Sequence, residues 1–247
     1  TDDGTGKIEN RIKIVRNESI KSDKWNTSSS NNWINSSLNT YLNETYYNSI
    51  KNDYKKMIVF SKYYLGNSSS NSLRADAMYG IERRNDSSYL LSKIGLMYAS
   101  DYGYAASSLC NEQLEKYSSL VCKDTNWLYN LKDKEWLLPQ SARGGSNAFY
   151  VYSNGYVGYN FDVYNNQLAV RPVIYLKYNV QISSGDGTSS NPYKFILNKN
   201  EDNSNANKPV LASNMIPVYY DEINNVWKKA DVNNKDSSYQ WYSYNST

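Results

Sequence analysis

The apolar residues of this chain occur in short segments, which are separated by stretches rich in asparagine and serine. The 247 residues include 34 Asn, 34 Ser and 26 Tyr, and no apolar run approaches the length of a membrane-spanning helix. Asn and Ser accept tight turns and bond their own backbone, so we expect long and numerous loops. Aromatic residues make up 15% of the chain, which is unlike a disordered sequence. The sequence therefore predicts a folded chain whose core rests on Trp and Tyr rings.

The chain contains no histidine. This absence excludes a histidine-based catalytic triad, a histidine zinc site and a two-histidine iron centre. The formal net charge is +3, and no basic cluster is longer than a pair of residues. We therefore expect no nucleic-acid partner. No pattern of residues indicates a metal or a cofactor, and we expect neither.

Cys110 and Cys122 are the two cysteines of the chain, with eleven residues between them. We predict a disulfide, which would stabilise the fold by roughly 3 kcal/mol and would persist only in an oxidising compartment. Two free buried thiols are the alternative. The first residues lack the basic, apolar and small-residue regions of a signal peptide, so we take the chain to be a mature or excised segment.

The amino-terminal half contains several short candidate elements. Residues 11–16 alternate charged and apolar side chains, which predicts a strand with one buried face. Helical spacing predicts a helix over about residues 36–50, with Ser36 or Ser37 as its N-cap. The apolar segment 57–64 is either a strand or the end of a second helix.

The middle of the chain favours strands. Residues 93–98 form a buried strand in this interpretation, and a short helix begins at Ser100-Asp101. Residues 148–152 and 156–159 alternate around Asn154-Gly155, which predicts a hairpin with a type I′ turn. Residues 170–176 predict a further strand. Pro172 indicates that this strand either starts there or lies at the edge of a sheet.

The sequence indicates a boundary near residue 198. Residues 193–197 predict a last short strand, after which the segment 199–208 has no large apolar side chain. We interpret residues 1–198 as one domain, residues 199–208 as a linker and residues 209–247 as a small appended module, too short for an ordinary core of its own.

Five segments within residues 7–198 carry a family resemblance. They are Arg11-Ile12-Lys13-Ile14-Val15-Arg16-Asn17-Glu18-Ser19, Gly95-Leu96-Met97-Tyr98-Ala99-Ser100-Asp101-Tyr102-Gly103-Tyr104, Trp127-Leu128-Tyr129-Asn130, Trp136-Leu137-Leu138-Pro139 and Ala169-Val170-Arg171-Pro172-Val173-Ile174-Tyr175-Leu176. Together they resemble an uncharacterised family of bacterial cell-surface domains with the C-type-lectin-like fold that formylglycine-generating enzymes share. The resemblance implies an α+β domain with small antiparallel sheets, about two helices and long loops rich in Asn, Ser and Tyr.

The sequence also departs from those relatives. Ala169-Val170 stands before Arg171, where looser relatives carry Gly-Phe or Gly-Val. The reactive cysteine pair of formylglycine-generating enzymes and the calcium signature of the lectins are both missing. The comparison therefore implies a domain without catalysis or metal. The tail, at residues 215–221, 227–231 and 241–244, is similar to a short module that is repeated in long bacterial cell-surface polypeptides.

The predicted hairpin carries the strongest functional candidate, because six aromatic residues lie within fifteen positions, 150–164, and four Asn residues lie among or directly after them. Tyr, Asn and Ser are typical of recognition surfaces, where rigid rings combine with adaptable hydrogen bonds. Strand alternation predicts that Tyr150 and Tyr152 point to the same side. The alternative is that the rings form core. The candidate ligand-binding residues are Arg143, Tyr150, Tyr152, Asn154, Tyr156, Tyr159, Asn160, Phe161 and Tyr164.

Three further motifs have structural interpretations. Arg143 precedes Gly144-Gly145, where an arginine could bind a carboxylate or a sugar edge, although an exposed loop is the simpler interpretation. Arg171 lies among apolar residues and must be paired if it is buried. The segment 185–188 resembles a fragment of a calcium-binding loop, but the further oxygen ligands of such a loop are missing. The segment therefore predicts a turn.

These patterns lead to one expectation about function. We expect an extracellular, adhesin-like domain of a bacterial surface or filament protein, which binds a host, glycan or neighbouring-cell ligand through the Tyr/Asn-rich hairpin. The alternative is a structural subunit or spacer that packs against copies of itself. We expect no enzyme activity, because no local signal favours a catalytic pair among the 24 acidic residues.

Overall fold

The structure is a computed structural model that describes residues 2–6, 11–84, 87–129, 133–186, 188 and 190–198, and the backbone of three further strands, at 215–221, 226–229 and 242–245. The chain divides into two compact units, Thr1–Leu197 and Asn198–Thr247. The predicted linker, residues 199–208, lies outside the described residues.

The first unit combines short helices with twelve described strands. The helices are α1 (Ser37–Tyr41), α2 (Tyr47–Ser49), α3 (Asn52–Lys55), α4 (Ala75–Glu82), α5 (Ala99–Tyr104) and α6 (Leu120–Lys123), with a π-helical turn at Leu42–Tyr46 and a 3-10 turn at Leu114–Lys116. The strands are β1 (Lys13–Val15), β2 (Lys21–Asp23), β3 (Ser61–Tyr64), β4 (Tyr89–Ser92), β5 (Ile94–Gly95), β6 (Glu135–Gln140), β7 (Asn147–Val151), β8 (Val157–Asp162), β9 (Leu168–Val170), β10 (Val173–Tyr175), β11 (Val180–Ser184) and β12 (Lys194–Leu197).

The central element is a five-stranded sheet with the order β2-β9-β6-β7-β8. Strands β6 and β9 pair in parallel at Glu135 and Ala169, whereas the other neighbours are antiparallel. Irregularities between Trp136 and Gln140 and between Ala148 and Tyr150 interrupt the register, and such bulges bend a sheet. Smaller antiparallel sheets, β1-β10-β5, β3-β4 and β11-β12, complete a mixed α+β unit with few helices.

The core lies on both faces of the central sheet. Trp136 and Leu138 belong to one buried cluster, and Leu137 between them belongs to another, as strand alternation requires. We call the cluster that contains Trp136 the tryptophan cluster, and the cluster that contains Leu137 together with Met78 and Met97 the methionine cluster. The tryptophan cluster also contains Trp25 and Trp33, whose rings lie 4.9 Å apart. The expectation of an aromatic core is confirmed for these three tryptophans, which are fully buried, whereas Trp127 is 72% exposed.

The first helix confirms the prediction for residues 36–50. Ser36 is its N-cap, because the Ser36 hydroxyl accepts a hydrogen bond from the backbone N–H of Asn39 at 3.1 Å. Leu38 and Leu42 face the tryptophan cluster. The helix changes to a π-helical turn from Leu42 and ends at Ile50, where the backbone becomes extended.

Several predicted strands are shorter than expected. The predicted strand at 93–98 is reduced to Ile94–Gly95, and α5 begins at Ala99. Segment 170–176 is divided by Pro172, which has no N–H for a ladder, into β9 of the central sheet and β10 of a smaller one. Segment 57–64 resolves as a strand at Ser61–Tyr64, with Ile58 forming an isolated bridge to Leu176.

The second unit contains a three-stranded antiparallel sheet. Its strands are β13 (Met215–Asp221), β14 (Val226–Lys229) and β15 (Tyr242–Asn245), in the order β14-β13-β15. Each of the three tail segments that resemble a repeated module therefore overlaps one of these strands.

Candidate functional site

The predicted hairpin exists, but its turn differs from the expected type. The backbone N–H of Gly155 donates to the Tyr152 carbonyl at 2.8 Å, and that of Tyr152 donates to the Tyr156 carbonyl at 2.9 Å. The turn thus spans residues 152–155, one residue earlier than a type I′ turn centred on Asn154-Gly155. Gly155 is the last residue of this turn and has φ 97°, where a side chain would be strained. Asn154 accepts the N–H of Tyr156 and stabilises the turn.

Four of the predicted aromatic residues come together on the tryptophan-cluster side of the sheet. Tyr152 and Tyr156 stack with ring centroids 5.2 Å apart and an interplanar angle of 21°. Tyr150 lies beneath them and contacts the edges of both rings, so the prediction that Tyr150 and Tyr152 share a side is confirmed. Phe161 packs 4.6 Å from Tyr150. We call Tyr150, Tyr152, Tyr156 and Phe161 the aromatic platform.

The platform is anchored at its base and open at its rim. Tyr150 is buried, with only 2% of its surface exposed, whereas Tyr152, Tyr156 and Phe161 are half-buried. Burial raises the pKa of Tyr150. Its hydroxyl lies 2.9 Å from that of Tyr156 and 3.4 Å from the side-chain oxygen of Asn160, which is exposed. The rim therefore combines ring surface with polar groups that can exchange hydrogen bonds.

Glycine at position 158 makes room for this arrangement. Gly158 lies opposite Tyr150 in the β7-β8 pair. A Cβ at Gly158 would lie 2.2 Å from the Tyr150 ring, far inside van der Waals contact. The platform therefore depends on the absence of a side chain at Gly158. Glycine within a strand often marks such a close approach of another group.

Lys134 is a member of the site that the sequence did not reveal. Its amine lies 4.5 Å from the ring centroid of Tyr152 and 4.5 Å from that of Phe161. Both distances are within the range of a cation–π interaction. Lys134 lies one residue before β6, and only the pairing of β6 with β7 brings it to the hairpin. Sequence spacing alone carries no signal for that pairing.

The remaining predicted residues lie apart from the platform. Tyr159 packs 5.9 Å from Phe149 on the methionine-cluster side, and Arg143 donates to its hydroxyl at 2.7 Å. Tyr164 is 41% exposed and lies under Lys24, 4.3 Å from its amine. The nine predicted ligand residues are thus divided between the two sides of the hairpin and its ends.

A buried ion pair between Arg171 and Glu135 lies at the start of β6, the strand next to the hairpin. Arg171 is 3% exposed, and its guanidinium lies 2.8 Å from each carboxylate oxygen of Glu135. Arg171 also donates to the Leu128 carbonyl at 2.7 Å. Burial raises the pKa of Glu135 to about 7, against the lowering effect of Arg171. The arginine is therefore paired, as its burial demands, and it holds β6 to the chain after β9.

A second buried carboxylate joins two helices. Glu82, at the end of α4, accepts the backbone N–H of Ser100 at 3.2 Å and also the Ser100 hydroxyl. Burial raises the pKa of Glu82 to about 7, and the hydrogen bond from Ser100 and the charge of Arg83 partly counteract this. Both Glu82 and Ser100 are fully buried. Their closed environment gives this pair a structural role.

The predicted disulfide is confirmed. Cys110 and Cys122 are bonded, with their Cα atoms 4.8 Å apart. The segment around the bond is unusual, because it presents large apolar side chains to solvent: Leu109 is 78% exposed and Trp127 72% exposed. Leu120 and Val121 of α6 are exposed as well. We call Leu109, Leu120, Val121 and Trp127 the disulfide-lobe patch, which no sequence pattern indicated.

Two negative findings apply to the part of the chain that the structure describes. Within it, no group of three or more His, Cys, Asp or Glu side chains is arranged to hold a metal ion. None of its helices combines the length and the apolar character needed to cross a membrane. Asp186, in the segment considered for calcium, instead accepts hydrogen bonds from the N–H and hydroxyl of Thr188 at 3.0 and 2.7 Å, as in a turn.

Comparison with known families identifies the chain at the level of a domain family. Residues 9–178 match a domain of unknown function, DUF6273, and the chain belongs to that family. No curated protein and no solved structure is significantly similar to it. The matched region includes the central sheet, the aromatic platform and the disulfide.

Proposed function

We propose that this DUF6273 domain is an extracellular, non-enzymatic ligand-binding domain of a bacterial surface or filament protein, adhesin-like in role and C-type-lectin-like in architecture. It binds a host, glycan or neighbouring-cell ligand through the aromatic platform. The proposal fits a mixed α+β unit of small sheets and few helices. The membership of a domain family of unknown function is compatible with it but carries no weight.

One observation carries the proposal, namely the stacked and half-buried pair Tyr152–Tyr156 at the tip of the hairpin. Two parallel rings with exposed surface and neighbouring hydroxyl and amide groups suit recognition, because tyrosine offers rigid contact area at low entropic cost. The rings are held by Tyr150 below and by the Asn154 turn beside them. Little reorganisation is then required when a ligand binds.

The disulfide supports the extracellular part of the proposal. Disulfides form and persist in oxidising environments and are rare in the reducing cytosol. The bond between Cys110 and Cys122 closes a loop in which Leu120 is exposed, whereas Leu114 and Tyr117 are buried. A covalent link of this kind adds to the stability that the buried side chains provide.

The experiment compares ligand binding of the wild-type chain with that of Tyr152→Ala and Tyr156→Ala. Binding is measured on a glycan array and on intact bacterial and host cells. Tyr54→Ala is the matched control, because Tyr54 is 58% exposed and lies in α3, outside the hairpin. We expect both hairpin variants to lose binding and the control to retain it. Equal binding by all four proteins contradicts a hairpin site.

The disulfide-lobe patch favours self-association as a second candidate function, in which copies of the chain assemble. Exposed apolar side chains that lie together on a soluble protein mark an interaction surface. Leu109 and Val121 directly adjoin the two bonded cysteines, which brings them to the same lobe. Sedimentation over a range of concentrations tests this, because Leu120→Lys should then abolish association while the hairpin variants retain it. A wild-type chain that stays monomeric rules it out.

A further inference from the structure

We propose that the aromatic platform takes an acidic saccharide, whose carboxylate is bound by Lys134. This inference rests on the proposed function and names the ligand class of the same site. Its basis is the amine of Lys134, which lies on the platform and forms no ion pair among the described residues.

Lys134 contacts two rings of the platform and no described acidic side chain. Its amine lies over Tyr152 and Phe161, and neither ring carries a negative charge. Among the described residues no carboxylate forms an ion pair with Lys134, and the adjacent Asp133 is exposed. The side chain is half-buried. A charged group that is partly desolvated gains from a partner of opposite sign.

Other lysines of the same unit also lie over aromatic rings, and several of them form an ion pair. Lys21 lies over Tyr41 and pairs with Asp23 at 2.7 Å. Lys62 lies over Tyr89 and pairs with Asp2 at 2.6 Å. In each of these cases the fold supplies the carboxylate.

Lys13 follows the same rule, because it lies over Tyr98 and Tyr175 and pairs with Asp101.

Three further lysines lie over rings without an ion pair to another described residue, but each has an oxygen partner or a nearby acid. The amine of Lys55 donates to the Asn48 carbonyl at 3.1 Å, and that of Lys93 donates to the Tyr47 hydroxyl at 3.0 Å. Lys24 interacts with the charge of Asp162.

Lys134 differs from these lysines, because among the described residues no oxygen accepts a hydrogen bond from its amine. We infer that a ligand carboxylate completes the arrangement.

The platform also offers contacts for the rest of a sugar ligand. The stacked rings of Tyr152 and Tyr156 offer a surface on which the apolar face of a sugar ring can pack. Asn160 and the hydroxyl of Tyr156 lie next to that surface and can exchange hydrogen bonds with sugar hydroxyls. Ring surface, neutral hydrogen-bonding groups and one cation together match a uronic or sialic acid better than a neutral sugar.

Calorimetric titration with matched pairs of probes tests the inference. The pairs are sialyllactose with lactose, tetragalacturonate with its methyl ester, and a hyaluronan hexasaccharide with its carboxyl-reduced form. In at least one pair the acid should bind the wild-type chain about tenfold more tightly than its neutral partner, as expected for one charge-assisted hydrogen bond. The difference should shrink as salt is added.

Two lysine variants separate the charge from its surroundings. Lys134→Met should remove the preference for the acid and leave the neutral probe unchanged, whereas Lys134→Arg should keep it. Lys93→Met is the matched control, because Lys93 also lies over two rings, Tyr47 and Phe60, away from the hairpin. It should bind like wild type. Thermal melting of each variant establishes that it is folded.

The outcomes distinguish this inference from the proposed function. If acid and neutral probes bind equally in every pair, or if neither binds, the acidic ligand class is wrong. If neutral probes still lose affinity in Tyr152→Ala, the platform remains the binding site with another ligand. If Tyr152→Ala and Tyr156→Ala change the binding of no probe that binds wild type, the proposed function fails as well.

Discussion

The guanidinium of Arg171 and the carboxylate of Glu135 form a buried pair, with both oxygen distances at 2.8 Å. Glu135 begins β6, and Arg171 follows β9, so the pair fastens two parallel strands of the central sheet. The same strand β6 follows directly on Lys134. The buried ion pair and Lys134 of the candidate site therefore lie next to each other at the start of β6.

Removing one partner of this pair should destabilise the fold strongly. Arg171→Met leaves a buried carboxylate without its counter-charge and frees the Leu128 carbonyl. We expect the free energy of unfolding to fall by about 3–5 kcal/mol, measured by urea denaturation. The double variant Glu135→Leu/Arg171→Met should recover part of the loss. A single variant as stable as wild type contradicts the structural role of the pair.

Glu82 should make stability depend on pH. Its pKa is about 7 in the folded chain, above the ordinary value of 4.5. The folded state therefore binds more protons between these values, and the stabilisation present below about pH 4.5 is lost as the pH rises through about 7. Unfolding free energies at pH 5 and pH 8 should show greater stability at pH 5.

The isosteric variant Glu82→Gln provides the control for this effect. Its amide can still accept the N–H of Ser100 and donate to the hydroxyl, but it does not titrate. The difference between pH 5 and pH 8 should become smaller in Glu82→Gln, with Glu135 supplying the remainder. A pH dependence identical to that of wild type shows that Glu82 does not titrate in this range.

The disulfide should stabilise the unit measurably. Cys110 and Cys122 are 12 positions apart, and closing a loop of this length is worth roughly 3 kcal/mol. The double variant Cys110→Ser/Cys122→Ser should lose about that amount of unfolding free energy. Intact-mass measurement after alkylation without reduction should find no free thiol in the native protein. Two alkylated cysteines argue against both the bond and the oxidising compartment.

Local sequence patterns were sufficient for elements that depend on neighbouring residues. Ser36 caps its helix by accepting the backbone N–H of Asn39, three positions away. Gly155 adopts a positive φ, which glycine permits because it has no side chain. Such features depend on a few adjacent residues, so the sequence contains the information directly. The turn type was wrong because the closing hydrogen bond forms between Gly155 and Tyr152, a difference of one residue that composition does not encode.

Features that depend on distant strands could not be predicted. Lys134 reaches Tyr152 only through the register of β6 and β7, and Arg171 meets Glu135 across 36 positions. Tyr159 and Tyr156 lie in the same hairpin, but they contact opposite sides of the sheet. The two rings were grouped by composition, although the alternation that places Tyr150 and Tyr152 on one side places even-numbered and odd-numbered residues of a strand on opposite sides. A one-residue change in register would exchange the sides.

The affinity and the stability of Tyr156→Ala, measured on the same protein sample, test most directly whether the hairpin is a binding surface. Tyr156 is half-buried and its ring stacks on Tyr152. If the platform binds the ligand, affinity should fall by about 1–3 kcal/mol, while the free energy of unfolding changes by less than about 1 kcal/mol. A loss of about 3–5 kcal/mol in stability, as for a core aromatic, with unchanged affinity per folded molecule, would contradict the account.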